Sequence, residues 1–241
     1  METVEEKAKT LGGDRRSFLR NAGVGAVAAA LIMSSCKKKK DDPAPVVTNP
    51  PAPDNSGVDL GSGDVGILNY AYALEQLEAA FYTTVVTDVA FTTTFPQAAE
   101  QSLLKDIAAH EVIHREYLKA ALAKSAIPGL DVDFSSINFK DRKIVLEKAM
   151  EFEDLGVSAY NGAGHSLVNV NYLLAAGKIV SVEARHASAI RDLLKPGTAS
   201  FAGDDIVDPA SGLDKSRTPS EVFAIAGKYI KTKLNASNLP A

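Results

Sequence analysis

The chain is almost without cysteine, since Cys36 is the only one in 241 residues. A single cysteine cannot form a disulfide within the chain, and it cannot supply the several thiolates of a cysteine-based metal site. The core must therefore be held together by packing. Any metal that the chain binds must be held by oxygen and nitrogen ligands, from carboxylates and imidazoles.

An excess of positive charge is also missing. From Asp41 onward the chain has 17 basic and 26 acidic residues, which gives a net charge of about −9. Proteins that bind nucleic acid neutralise its phosphates with lysine and arginine. This balance argues against a nucleic-acid partner.

No long apolar segment is present near the start of the chain. The run from Ala22 to Met33 is short and rich in glycine and alanine, so it is a poor membrane span. It follows the paired Arg15 and Arg16 and is followed by small residues and Cys36. This order is typical of an export signal, so we predict one over residues 1–36. The alternative is a disordered basic tail with an incidental cysteine.

The details of this segment also predict a location. The paired arginines resemble a twin-arginine signal, and the residues before Cys36 resemble a bacterial lipoprotein box. On this interpretation Cys36 is lipidated and anchors the protein in a membrane of the bacterial cell envelope, facing the periplasm or the cell surface. Lys37 to Lys40 would add attraction to anionic headgroups, or would simply be solvated.

Residues 37–63 are predicted to be a disordered tether. From Asp41 to Gly63 the chain is rich in Pro, Asp, Asn, Ser and Gly and has no apolar period. Such a composition favours a flexible connection over a packed segment.

From Asp64 the apolar residues recur at three- and four-residue steps, which predicts amphipathic helices. Asp64 is assigned as the N-cap of the first helix and Pro96 to the first turn of the second. The four predicted helices cover, approximately, residues 64–88, 96–124, 140–164 and 171–194.

The remaining chain, residues 196–241, is predicted to be an acidic loop and a C-terminal helix. The capping box that begins at Thr218 predicts this helix from Pro219 to about Leu234. The aspartates of the loop, Asp204, Asp205 and Asp208, favour a solvated turn over a calcium site because they lack a regular spacing.

The connections between the four helices predict their arrangement. The first and third connections are short, as between antiparallel neighbours. The middle one, Ala126 to Phe139, reaches about 46 Å, whereas a 25-residue helix is about 37 Å long. It can therefore cross a whole bundle and join two helical hairpins related by a pseudo-two-fold axis.

A repeated signature runs through these helices. In each half a glutamate is followed seven residues later by a tyrosine, and then by a Glu-x-x-His motif. Both spacings place their two members on one face of a helix. The eight residues are Glu75, Tyr82, Glu111, His114, Glu153, Tyr160, Glu183 and His186.

The four glutamates and two histidines of this repeat form a recognisable ligand set. A glutamate from each of two helices and Glu-x-x-His from each of two others hold a dinuclear metal site in a four-helix bundle. Each glutamate lies near mid-height of its helix, where unpaired carboxylates would be costly to bury. A polar core without metal is the alternative.

Other titratable residues lie close to this set. Glu78 is one turn from Glu75 and is the alternative ligand in its place. His110 is interpreted as a surface or interface histidine, and His165 is left out of the site because it follows a glycine-rich break. Glu151 points away from Glu153 and is predicted to be solvated.

The same residues carry a family resemblance. Leu74–Tyr82 resembles the first helix of the exported ferritin-like domain family, which also contains plant desiccation-related proteins. Gly156–Tyr160 resembles its third helix and Val182–Ala187 its fourth. The wider ferritin-like superfamily includes rubrerythrin, bacterioferritin and manganese catalase. The resemblance covers residues 64–195 and implies an all-α, ferritin-like four-helix bundle with a long crossover between helices 2 and 3, plus a short C-terminal helix.

The resemblance also implies roles. Glu75 and Glu153 would be single-carboxylate ligands, and the two Glu-x-x-His motifs would supply the other four. Tyr82 and Tyr160 would donate hydrogen bonds to the opposing carboxylates. The chain has no match to the four-cysteine centre of rubrerythrin, and an anchor and tether would complicate assembly into a closed cage.

Two functions are compatible with these patterns. One is an envelope-anchored redox protein, a possible oxidoreductase, whose two iron or manganese ions react with dioxygen or peroxide. The other is a structural or stress-associated domain without turnover. A homodimer is a further expectation.

Overall fold

Four long helices make up most of residues 56–240, the part of the chain that the computed structural model describes. The helices are α1 (Gly63–Thr87), α2 (Ala98–Leu122), α3 (Arg142–Ala163) and α4 (Val170–Leu194). α1 packs along α2 and α3 packs along α4, so the bundle consists of two helical hairpins. The predicted all-α bundle is confirmed.

The first helix begins differently from the prediction. Ser62 is its N-cap, and Asp64 lies in its first turn. The Asp64 carboxylate accepts hydrogen bonds from the backbone N–H groups of Val168 and Asn169, at 2.8 Å each, just before α4 begins. The assignment of Asp64 as the N-cap of the first helix is wrong, because its carboxylate stabilises the backbone that leads into the fourth.

The second and third helices also start later than predicted. Gln97 is the N-cap of α2 and has an extended backbone, which leaves Pro96 outside the helix. Asp141 is the N-cap of α3, and its carboxylate accepts hydrogen bonds from two first-turn N–H groups. Such a cap stabilises a helix by about 1 kcal/mol.

The connection between α2 and α3 follows α1 for much of its length. The Ile127 N–H donates to Asn69 Oδ1 at 3.0 Å, and the Leu130 N–H donates to Gln76 Oε1 at 2.9 Å. The connection therefore runs in the same direction as α1 and carries the chain to the far end of the bundle. This is the long crossover that the sequence predicts.

α1 is buried on nearly all sides, because it contacts its hairpin partner, α3 and the crossover. Tyr70, Leu77, Phe81 and Tyr82 are each at most 1% exposed. A helix that is apolar all round is stable only at the centre of a fold. This central position carries Glu75 into the interior.

The C-terminal helix is shorter than predicted. α5 (Pro219–Ala226) has the predicted capping box, but a single 3-10 turn follows at Gly227–Tyr229. The chain then forms β2 (Leu234–Asn235), which pairs in parallel with β1 (Val58–Asp59). The helix cannot reach Leu234 because that residue is extended and belongs to this pair.

The same pairing changes the predicted boundary of the tether. Val58 and Asp59 pair with the C-terminal strand, and Leu60 is completely buried. These residues, predicted to belong to the disordered tether, are packed because they meet a C-terminal segment distant in sequence. The packed domain therefore begins before Asp64.

The predicted export signal and Cys36 lie outside the described residues, as does most of the predicted tether. Within residues 56–240, none of the helices combines the length and the apolar character that crossing a membrane requires.

Candidate metal centre

The repeated signature converges at the middle of the bundle. α1 supplies Glu75, α3 supplies Glu153, and α2 and α4 each supply one Glu-x-x-His pair. All four glutamates are completely buried, and the His114 and His186 side chains are 11% and 6% exposed. The structure thus brings together all six residues that the sequence singles out as metal ligands. Their role as ligands stays a prediction.

The six residues form two overlapping groups that could each hold a metal ion. In both groups the potential ligand atoms lie within 4.8 Å of one another. Glu111 and Glu183 belong to both groups, whereas the other members belong to one each. The first group contains Glu75, Glu111, His114 and Glu183, and the second contains Glu111, Glu153, Glu183 and His186.

The contacts within the cluster repeat across the pseudo-two-fold axis. His114 Nδ1 lies 2.8 Å from Glu183 Oε1, and His186 Nδ1 lies 2.8 Å from Glu111 Oε1. Each histidine also approaches the single glutamate of its group, Glu75 at 3.5 Å and Glu153 at 3.4 Å. Both histidines therefore direct Nδ1 inward, and each pairs most closely with the carboxylate of the opposite motif.

The two tyrosines of the signature hold the single glutamates from outside. The Tyr82 hydroxyl donates to Glu153 Oε1 at 2.5 Å, and the Tyr160 hydroxyl donates to Glu75 Oε1 at 2.6 Å. Each bond joins α1 to α3. The second oxygen of each glutamate, Oε2, is left facing the histidine of its group.

Burial and neighbouring charges shift the pKa values of the cluster in opposite directions. Burial raises the pKa of Glu75 and Glu153 well above the ordinary range. For Glu111, burial acts to raise the pKa, but close contacts with His114 and His186 outweigh this effect. The net result is a pKa lowered to about 2. For both histidines, burial lowers the pKa, but the surrounding carboxylates outweigh it and raise the value to about 12.

Many polar atoms of the six candidate ligands are buried without a hydrogen-bond partner. Within residues 56–240, nine buried side-chain nitrogen and oxygen atoms have no hydrogen-bond partner, and eight of them belong to the six residues. The histidine Nδ1 atoms lie 2.8 Å from carboxylate oxygens, but these contacts do not have the geometry of a hydrogen bond. Unpartnered buried polar atoms are costly and rare. Cations placed among them would use these atoms as ligands, so the residues present fit a metal.

Glu78, the alternative ligand, lies outside both groups. It is 4% exposed, and burial raises its pKa well above the ordinary range. Its Oε1 lies only 3.0 Å from where a side chain at Gly156 would begin. Gly156 is the equivalent position in the second half, so the missing side chain there makes room for Glu78.

Three other titratable residues near the motifs, Glu151, His165 and His110, differ in whether they contact the cluster. Glu151 forms a surface ion pair with Lys148, and His165 is exposed in a single 3-10 turn. His110 is exposed, as predicted for a surface histidine, but its Nδ1 also lies 3.0 Å from His186 Nε2. Residues four apart, such as 110 and 114, share a helix face, so the sequence places His110 near His114 but does not indicate its partner on α4.

A four-helix bundle with a long crossover, enclosing two Glu-x-x-His motifs and two further glutamates, defines the ferritin-like class of proteins. The family model described as ferritin-like domain matches residues 63–196, and the chain belongs to this family. The predicted family resemblance is thereby confirmed. A comparison with curated proteins finds no match.

Proposed function

We propose that the protein binds two iron or manganese ions and is an oxidoreductase that reacts with dioxygen or peroxide. The observation that carries this proposal is the sharing of Glu111 and Glu183 between two groups of ligand atoms. A carboxylate has two oxygens, so each of these glutamates can contact two ions at once. Two adjacent ions, once bound, would share a two-electron exchange with an oxidant.

The donor set supports this choice of metal. Glu75 and His114 serve one position and Glu153 and His186 the other, so each ion would meet carboxylate oxygens and one neutral imidazole. Such oxygen-rich sites with nitrogen suit iron and manganese better than thiolate-preferring metals. Tyr82 and Tyr160 orient the two single glutamates through their outer oxygens.

An apolar cavity beside the cluster supports a small oxidant. It has a volume of about 20 Å³, enough for one water-sized molecule, and side chains of all four long helices line it. Tyr160 lines the cavity and also donates to Glu75, so this side chain contacts both the cavity and a candidate ligand. Its apolar lining suits a small uncharged molecule such as dioxygen better than a charged substrate.

A purified protein would be loaded with Fe²⁺ or Mn²⁺, dialysed, and tested for retained metal, dioxygen consumption and peroxide breakdown. We expect two ions per chain and oxidant consumption that the metal-free protein lacks. The double variant Glu183→Ala with His186→Ala removes two ligands and leaves other buried carboxylates under-compensated, so it should retain no metal. Glu151→Ala is the matched control and should behave as the wild type.

A structural domain without turnover is the second candidate. The observation in its favour is that two imidazolium groups already lie 2.8 Å from two carboxylates, so the metal-free cluster is partly neutralised. Retention of two ions without oxidant consumption would support this candidate. Wild-type protein that retains no more metal than the double variant would instead support a metal-free polar core.

The location of the protein in the cell envelope is a separate part of the proposal. It is supported by the order of paired arginines, short apolar run, small residues and Cys36 in the sequence. Cys36→Ser should release the protein from the membrane fraction or block its maturation. Recovery of wild-type protein in the soluble cytoplasmic fraction, with Met1 intact, would contradict this location.

A further inference from the structure

The two halves of the centre differ at one position of the repeat. The residue before the first Glu-x-x-His motif is His110, and the residue before the second is Val182. These positions are equivalent under the pseudo-two-fold axis. The first half can therefore make a polar contact here that the second half cannot.

His110 contacts the outward nitrogen of the opposite histidine. Its Nδ1 lies 3.0 Å from Nε2 of His186, whose Nδ1 faces the carboxylates. The ring planes are only 10° apart and their centroids are separated by 5.2 Å. Rings that are nearly parallel and this far apart, with two nitrogens in hydrogen-bond contact, meet edge to edge. The in-plane lone pair of one nitrogen can then accept the proton of the other.

The other histidine has a different environment. His114 also directs Nδ1 inward, but Val182 lines the surface groove beside it. In the part of the chain that the structure describes, no protein group forms a hydrogen bond with Nε2 of His114. Water in the groove is left to serve that nitrogen, because the His114 side chain is 11% exposed.

A hydrogen bond to the outer nitrogen affects how an imidazole binds metal. A neutral imidazole has one N–H and one lone pair. A histidine that gives the Nδ1 lone pair to a metal must carry its proton on Nε2, and an acceptor there holds both the tautomer and the ring orientation. His110 Nδ1 is such an acceptor for His186, and its own proton is then on the solvent side.

We propose that His110 is a positioning residue that makes the two metal positions unequal, so that the position containing His186 binds the first ion more tightly. This inference rests on the proposed metal centre. It concerns the protein's own affinity for metal, and does not depend on the reaction.

The test uses Co²⁺ alone as the probe, with metal-free wild-type protein titrated in competition with a chelator and followed by visible absorption. We expect two unequal binding steps. His110→Phe keeps a ring but removes the acceptor, and should weaken the tighter step by about 10–100-fold while leaving the other unchanged. His110→Asn, whose side-chain oxygen can replace Nδ1 as acceptor, should restore much of the loss.

Val182→Ala is the matched control at the equivalent position and should alter neither step. Because His110 is exposed, circular dichroism should show that each variant keeps the helical content of the wild type. A measurement on the unaltered protein complements these variants. In Zn²⁺-loaded protein, long-range ¹H–¹⁵N correlation spectra should show the His186 proton on Nε2.

The outcomes separate this inference from the metal centre itself. Two equal Co²⁺ steps in the wild type, or equal weakening of both steps in His110→Phe, would overturn the inference and leave the metal centre in place. A His186 proton on Nδ1 in the Zn²⁺-loaded protein would also overturn it alone. Wild-type protein that binds no Co²⁺ would overturn the metal centre and the inference together.

Discussion

Two buried charge clusters of the bundle both use side chains of α3 and α4. One is the candidate metal centre, with Glu153 on α3 and His186 on α4 among its members. The other is centred on Arg191, which is 3% exposed and donates to Asp154 at 2.6 Å and to Asp205 at 2.7 Å. Sequence neighbours on the same helix thus enter different clusters, because successive residues point in different directions.

The two clusters differ in how completely they are satisfied. The Arg191 guanidinium donates to both carboxylates and to the Ser200 carbonyl, so one cation pairs with two anions and the 199–205 segment is held against α4. At the candidate metal centre, eight buried ligand atoms lack hydrogen-bond partners. The first cluster is complete within the protein. The second leaves carboxylate and imidazole atoms that could serve added cations as ligands, as expected of a binding site rather than of a structural ion pair.

The largest effect is expected from removing Arg191, the cation at the centre of the cluster that is satisfied within the protein. Arg191→Met should destabilise the protein by about 3–5 kcal/mol, because Asp154 is left buried without its partner, and toward the lower end because Asp205 is mostly exposed. Urea unfolding of metal-free and metal-loaded protein would measure the loss, which should be similar in both.

The metal stoichiometry of the same variant is the control measurement. Arg191→Met should still retain two ions per chain, since the guanidinium contacts none of the six candidate ligands. Loss of metal without loss of stability would show that the two clusters are one functional unit and would contradict the distinction.

An intermediate effect is expected from pH. In metal-free protein the folded state keeps protons on His114 and His186, whose pKa values are raised to about 12. For the histidines, this stability is fully present below an unfolded pKa of about 6.5 and is lost as pH rises toward 12. For each proton that only the folded state keeps, the free energy of unfolding falls by about 1.4 kcal/mol for every pH unit above the unfolded pKa.

Metal binding should remove this dependence, because bound cations replace those protons. Urea unfolding between pH 7 and 9 should therefore show a falling stability for the metal-free protein and a nearly constant one for the loaded protein. Arg191→Met should show the same dependence of stability on pH as the wild type, both without metal and with metal. Equal slopes for metal-free and loaded wild type would contradict the proton exchange.

The smallest effect is expected at the outer hydrogen bonds of the centre. Tyr160→Phe removes the donor to Glu75 Oε1 and should cost about 1 kcal/mol of stability while metal is retained. Tyr117→Phe, at a half-exposed tyrosine, is the control and should change stability very little. A loss of metal in Tyr160→Phe would mean that this hydroxyl is required to hold the Glu75 carboxylate in place.

Much of the centre was predictable because its signals are local. The Glu-to-Tyr and Glu-to-His spacings place side chains on one face of a helix whatever that helix packs against. Their repetition in two halves, with a long connection between them, predicted the bundle and the convergence of six residues. Glu153 lies where the pattern placed it, because the period of an amphipathic helix determines which of its faces is buried.

Contacts between distant segments were not predictable in this way. Asp64 accepts from the backbone before α4, Asp205 of the acidic loop pairs with Arg191, and His110 reaches His186. Each has an ordinary local interpretation, as a cap, a solvated turn or a surface histidine. The partner lies on another element, so only the packing of the elements selects the actual contact.

The four helical segments and the six candidate ligands, with Glu78 as the alternative to Glu75, could be read from the sequence, because they follow from a period of 3.6 residues within single helices. The packing of the helices fixes that Glu111 and Glu183 are shared by two groups and that Glu78 lies outside both. The tertiary structure also joined Val58 to the C-terminal strand. These outcomes depend on distances between segments far apart in the chain, and packing fixes those distances.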